Sequence, residues 1–84
     1  MSNLNDLINS GSIVVGEELT WRRRTENQVH TAVINAGGSI TTSDGKIHRT
    51  PSGAARHLNG GKPVDGWLTW KLKRTGKSLA SLRK

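Results

Sequence analysis

The pair Asp44-Gly45 constrains the fold more than any other feature of this sequence. Ile40 to Thr42 precedes it and Lys46 to His48 follows it. A two-residue Asp-Gly link between such runs selects a tight turn whose twist matches that of paired strands, so it predicts an antiparallel hairpin. Further turn signals at Gly11, Asn35-Ala36-Gly37-Gly38, Asn59-Gly60-Gly61 and Thr75-Gly76-Lys77 keep the other elements short.

Between those turns the periodicity predicts the following elements. Ser2 or Asn3 can cap a first helix carrying Leu4, Leu7 and Ile8 on one side, with Gly11 ending it. Gly11 to Glu18 reads as a short extended stretch. Leu19 to Arg24 alternates as a strand, with Leu19, Trp21 and Arg23 on one face and Thr20, Arg22 and Arg24 on the other. A polar turn follows over Arg23 to Glu26. Val29 to Ile34 is rich in β-branched residues and reads as a strand covered on both faces. Thr50 caps a helix that opens on Pro51, where no hydrogen bond is lost, and Ala54, Ala55 and Leu58 form its small apolar stripe. Trp67 to Leu72 reads as a last strand, and Ser78 caps a short final helix with Leu79 and Leu82. The expected fold is α+β, a small antiparallel sheet of three to four strands with short helices packed on it. Residues 1–84 form one domain, with residues 1–11 an N-terminal helix and residues 12–84 the core. There is no Phe or Tyr, so Trp21, Trp67 and Trp70 must supply most of the aromatic packing.

The 84 residues contain no cysteine, which removes disulfides, thiolate metal sites and thiol catalysis, and fits a cytoplasmic setting, at the nucleoid if the source is prokaryotic. No apolar run approaches the roughly 20 residues that span a bilayer, and Met1 to Asn9 lacks the features of a signal peptide. A membrane partner is not expected. Net charge is +7 and unevenly placed: residues 1–45 carry a net −2, residues 46–84 a net +9 with Asp65 as their single acid. A polyanion suits such a surface, because each neutralised phosphate releases condensed counterion. A merely solvated basic face, an acidic protein and an anionic lipid compete with nucleic acid on charge alone.

Catalysis is not expected. His30, His48 and His57 lie in three different elements without metal-binding spacing, and the acids are scattered. Ser52 and Ser78 have no evident His and Asp partners, and the glycines form no phosphate loop. Catalytic residues, metal ligands and cofactors are all expected to be none.

Three segments are candidates for nucleic-acid contact. The first is the helix start at Thr50-Pro51-Ser52, whose N–H groups and dipole suit a phosphate oxygen, with Thr50 and Ser52 hydroxyls as extra donors and Arg49 and Arg56 beside it. A plain helix cap explains the same residues, and close helix–sheet packing explains Gly53-Ala54-Ala55. The second is Trp67 to Arg74. As a strand it places Leu68, Trp70 and Leu72 on a core face and Trp67, Lys71 and Lys73 on an aromatic, basic face, with Arg74 following. Core packing competes for all three tryptophans. The third is Arg22 with Arg24, which alternation sends to one side, where successive phosphates or only solvent await them.

The ordered motifs resemble the RAMA domain, named for its association with restriction enzymes and adenine methylases. The likeness runs from Gly16 to Arg83. It rests on Gly16-Glu17-Glu18-Leu19, Trp21-Arg22-Arg23-Arg24, Ala32-Val33, Ile40 and Asp44-Gly45. Thr50-Pro51-Ser52-Gly53-Ala54-Ala55, Gly66-Trp67-Leu68-Thr69-Trp70, Gly76-Lys77-Ser78-Leu79 and Leu82-Arg83 complete it. The resemblance implies a non-catalytic reader of double-stranded DNA, particularly of N6-methyladenine, in a restriction-modification or defence setting. The rival expectation is a protein-interaction adaptor that recruits a nuclease or methylase. The sequence departs from the family pattern where Thr50 replaces the usual serine, and where Ile47-His48-Arg49 stands in place of an aromatic; this second departure weakens the case for a caged methylated base.

Overall fold

The computed structural model describes residues 3–23 and 27–83. Helix α1 spans Leu4–Asn9 and is closed at its start by a reciprocal cap: the Asn3 side chain accepts from the Asp6 N–H, and the Asp6 carboxylate accepts from the Asn3 N–H. Strands β1 (Glu18–Arg23), β2 (Gln28–Ile34), β3 (Ile40–Thr42) and β4 (Ile47–His48) pair in sequence order, and β5 (Lys71–Leu72) returns to the free side of β1. The sheet is antiparallel throughout, in the order β4-β3-β2-β1-β5. Helix α2 (Pro51–Leu58) and the single turn α3 (Gly66–Thr69) connect β4 to β5.

The Asp44-Gly45 hairpin, the start of α2 and the first helix stand where the sequence places them. The Thr50 hydroxyl accepts from the Gly53 N–H at 3.0 Å, and the apolar stripe of α2 buries Ala54 and Ala55 completely. One face of the sheet builds the core: Leu19, Trp21, Ala32, Ile34, Ile40 and Leu72 are buried against Leu4, Leu7 and Ile13, α2, Trp70 and Leu79.

Several expectations fail. The sheet has five strands, because β4 and β5, of two residues each, are too short to leave a periodic signature. Strand β2 is covered on one face only: Ala32 and Ile34 are buried, while Val29 and Val33 are exposed. Residues 11–17 form turns that bury Ile13, with no strand. The final element, Leu79–Leu82, is a 3-10 turn capped by Ser78. The expected turn from Arg23 to Glu26 falls largely outside the described residues.

The largest correction concerns Trp67 to Leu72, where the alternating pattern predicts one strand. The Asp65 carboxylate accepts from the Trp67 N–H at 3.0 Å and starts a helical turn, closed by the Trp70 N–H on the Gly66 carbonyl. The turn places Trp67 and Trp70, three apart, towards the core and swings Leu68 outward. It is fixed by tertiary contact. Gly66 lies so close to α2 that a Cβ on it would stand 2.1 Å from the Pro51 carbonyl oxygen. The Gly66 N–H donates to the Ser52 hydroxyl at 3.1 Å, and the buried Trp70 indole N–H donates to the Pro51 carbonyl at 3.1 Å.

Candidate nucleic-acid interface

The face of the sheet opposite the core carries no helix among the described residues. Its register is set by the buried residues: with Leu19 and Trp21 inward, Thr20 and Arg22 point outward on β1. Their cross-strand partners continue the outer face through Thr31 and Val29 on β2 and Lys71 on β5. Val33, Thr41 and Ile47 extend it to β4. The face is therefore polar and basic at the β1–β5 side and apolar towards β4, where Ile47 is 70 % exposed.

A groove of about 690 Å³ runs along the basic side. Thr20, Arg22 and Lys71 line it from the strands, Val29 and Leu68 add apolar surface, and Lys73 and Gly76 line it as well. Arg22 and Lys71 are exposed and have no carboxylate partner among the described residues. Lys73 lies 3.1 Å from Glu18, but both side chains are more than half exposed, so this pair holds its cation loosely.

The candidate residues are not gathered in one place. Arg22, Lys71 and Lys73 share the groove. Arg49, Thr50, Ser52 and Arg56 belong to the β4–α2 junction, and β4 and β5 are the two edges of the sheet, four strand spacings or roughly 19 Å apart. Two of that second group are already engaged: the Thr50 hydroxyl oxygen caps α2 and the Ser52 hydroxyl accepts from Gly66. Arg56 donates to the Gly61 carbonyl at 2.9 Å. Arg74 makes a two-pronged contact with Glu17, at 3.1 and 3.3 Å, and this carboxylate, itself buried, raises the guanidinium pKa further above its ordinary value. Trp67, expected on an open basic strand face, is half-buried, and the Arg83 guanidinium stacks 3.8 Å from its ring. Arg24 lies outside the described residues.

Sequence reasoning missed two clusters. Arg23, on the core side of β1, sits 5.0 Å from the Trp21 ring and donates to the Leu58 carbonyl and the Asn59 side chain, tying the end of α2 to the sheet. The second joins histidines that the sequence places in separate elements. His57 lies 2.6 Å from Asp44, and its ring packs 4.9 Å from that of His48. Hydrogen bonds from the Thr42 hydroxyl and from His57, with a further one from the Lys46 N–H, hold the Asp44 carboxyl well below the usual carboxylate range. Burial, and then the neighbouring His57, push His48 below its ordinary value. The Asp-Gly hairpin signal announced Asp44, but nothing local announced the histidine from α2. Among the described residues no group of three or more His, Cys, Asp or Glu side chains is placed to hold a metal ion, and no helix is long and apolar enough to cross a membrane.

A family model described as RAMA, Restriction Enzyme Adenine Methylase Associated, matches residues 2–84. No curated protein matches the chain.

Proposed function

The chain belongs to the RAMA family, whose domains are associated with restriction-modification systems, and from that premise we propose that it is a non-catalytic module that binds double-stranded DNA through the open face of its sheet. The observation that carries this reading is the placement of Arg22 and Lys71 in one groove on the outer face of the sheet, with Lys71 opposite Thr20 and Arg22 two residues further along β1, without carboxylate partners among the described residues, and with Lys73 lining the same groove. Cations held outward on a rigid sheet can each meet a phosphate, and phosphate contact supplies most of the affinity of such modules. Glu17 and Glu18 lie against Arg74 and Lys73, and no other carboxylate among the described residues pairs with Arg22 or Lys71. Reading of a methylated base finds less support, because Trp21 and Trp70 are core residues and Trp67 already carries the Arg83 guanidinium.

The second reading, an adaptor that recruits a nuclease or methylase, is favoured by the exposed apolar side chains of Val33 and Ile47, which flank Thr41 at the other side of the same face. Titration with duplex DNA at several salt concentrations separates the two. If Arg22, Lys71 and Lys73 neutralise three phosphates, log K falls against log salt with a slope of about −2.7, and Arg22→Gln with Lys71→Gln reduces that slope by about 1.8. Binding that is absent at low salt, or indifferent to salt and to these substitutions, overturns the DNA reading.

A further inference from the structure

We propose that the groove between β1 and the α3–β5 corner receives one unpaired nucleotide of the bound DNA, an inference that rests on the DNA-binding reading and specifies what its site accepts. The groove differs from a plain phosphate-tracking surface in its walls. Leu68 is 60 % exposed and Val29 56 % exposed, and both line the same cavity as Arg22 and Lys71. Leu68 is held outward by the capped turn of α3, whose two tryptophans take the inward positions. Apolar side chains kept in water beside cations that have no carboxylate partner among the described residues present a mixed surface: one part suits the flat face of a base or the carbon atoms of a sugar, the other a phosphate.

Size and charge narrow the occupant. The volume of about 690 Å³ falls in the range of sites that enclose a small organic ligand, about 300–1,000 Å³. A regular duplex keeps its base faces stacked and offers a protein surface phosphates, sugars and base edges, so it has no flat base face to lay over Leu68 and Val29. A second copy of the chain would set two molecules of net charge +7 against each other, cation face to cation face. A nucleotide outside the base stack meets both halves of the groove at once: its phosphate lies against Arg22 and Lys71, and its base lies over Val29 and Leu68. The Thr20 hydroxyl, which lines the same groove, can donate or accept at a base edge.

The test compares a short duplex carrying one bulged nucleotide with the same duplex fully paired, by fluorescence anisotropy at fixed salt. The bulged nucleotide has no pairing to give up, so the parent protein is expected to bind it on the order of tenfold more tightly. The double variant Leu68→Asn with Val29→Thr, checked for folding by thermal melting, is expected to bring the affinity for the bulged duplex down to that for the paired one. Leu68→Asn alone carries the test if the substitution in β2 disturbs the sheet. Equal binding of the two duplexes by the parent overturns the nucleotide site and leaves the duplex-binding reading in place. A preference that survives both variants puts the nucleotide elsewhere and also overturns it. Failure to bind either duplex at low salt overturns both readings together.

Discussion

Gly66→Ala should unfold this domain or bring it close to unfolding, although it adds a single methyl group. The added Cβ would stand 2.1 Å from the Pro51 carbonyl oxygen, 2.2 Å from its carbon and 2.4 Å from the Ser52 nitrogen. All three are backbone atoms at the first turn of α2, so no side chain can rotate away. Relief requires α3 to withdraw from α2 by more than an ångström, and two hydrogen bonds span that contact: Gly66 N–H to the Ser52 hydroxyl and the Trp70 indole N–H to Pro51. Each is worth about 1 kcal/mol, and leaving the buried indole unpaired adds about 1–3 kcal/mol. Overpacking of a close contact costs a further ~1–3 kcal/mol. The sum, about 4 kcal/mol or more, compares with a total stability of about 4–12 kcal/mol for a chain of this length. Gly45→Ala is the control. Its backbone sits at φ +84°, and nothing lies within 4 Å of the added Cβ, so only the left-handed conformation resists, at about 1–2 kcal/mol. Tryptophan fluorescence melts of the two variants provide the assay. A Gly66→Ala protein that melts at or above the Gly45→Ala protein would refute the claim that the α2–α3 contact fixes this part of the fold.

Two further outcomes follow from burial and charge. Trp70→Ala removes a fully buried ring together with its bond to Pro51 and should cost about 3–5 kcal/mol; Trp67→Ala removes a half-buried ring and should melt well above it, and equal melting temperatures would place both rings in the core on the same footing. Stability should also fall on acidification in two stages. His48 has a lowered folded pKa, so its contribution is full above the ordinary value of 6.5 and declines as pH drops through that range. Asp44, likewise depressed, contributes above the ordinary carboxylate value of about 3.9 and loses that contribution in stronger acid. Chemical denaturation as a function of pH should lose its first stage in His48→Gln and its second in Asp44→Asn, and unchanged profiles in both would show that the cluster does not couple to folding.

Some elements were legible because their causes are local. The Asp44-Gly45 turn, the Asn3 and Thr50 caps and Pro51 at the start of α2 each act within four residues, and the structure places them where the sequence does. The stripe of Ala54 and Ala55 also told its own face. The family motifs were readable in order, but their meaning was not. Gly66, Ser52 and Trp70 come from two separate motifs, and they prove to be the two halves of one contact between α2 and α3.

The sequence by itself determined an α+β domain with an antiparallel hairpin at its centre, a capped helix after it, an excess of cations and membership of a family. Those properties depend on composition and on interactions between near neighbours. Tertiary structure decided which cations remain available. Glu18 and Lys73, and Glu17 and Arg74, meet across 55 and 57 residues, and no period or spacing in the chain records that meeting. It also decided that Trp67 to Thr69 turns as a helix, since the alternation of apolar residues there satisfies a strand as well as a turn, and the docking of Gly66 on Pro51 selects between them. The open face of the sheet was decided in the same way: β-branched residues favour a strand whether one side or both are covered, and only the packing of the helices shows that the side bearing Val29, Thr31 and Val33 is left exposed.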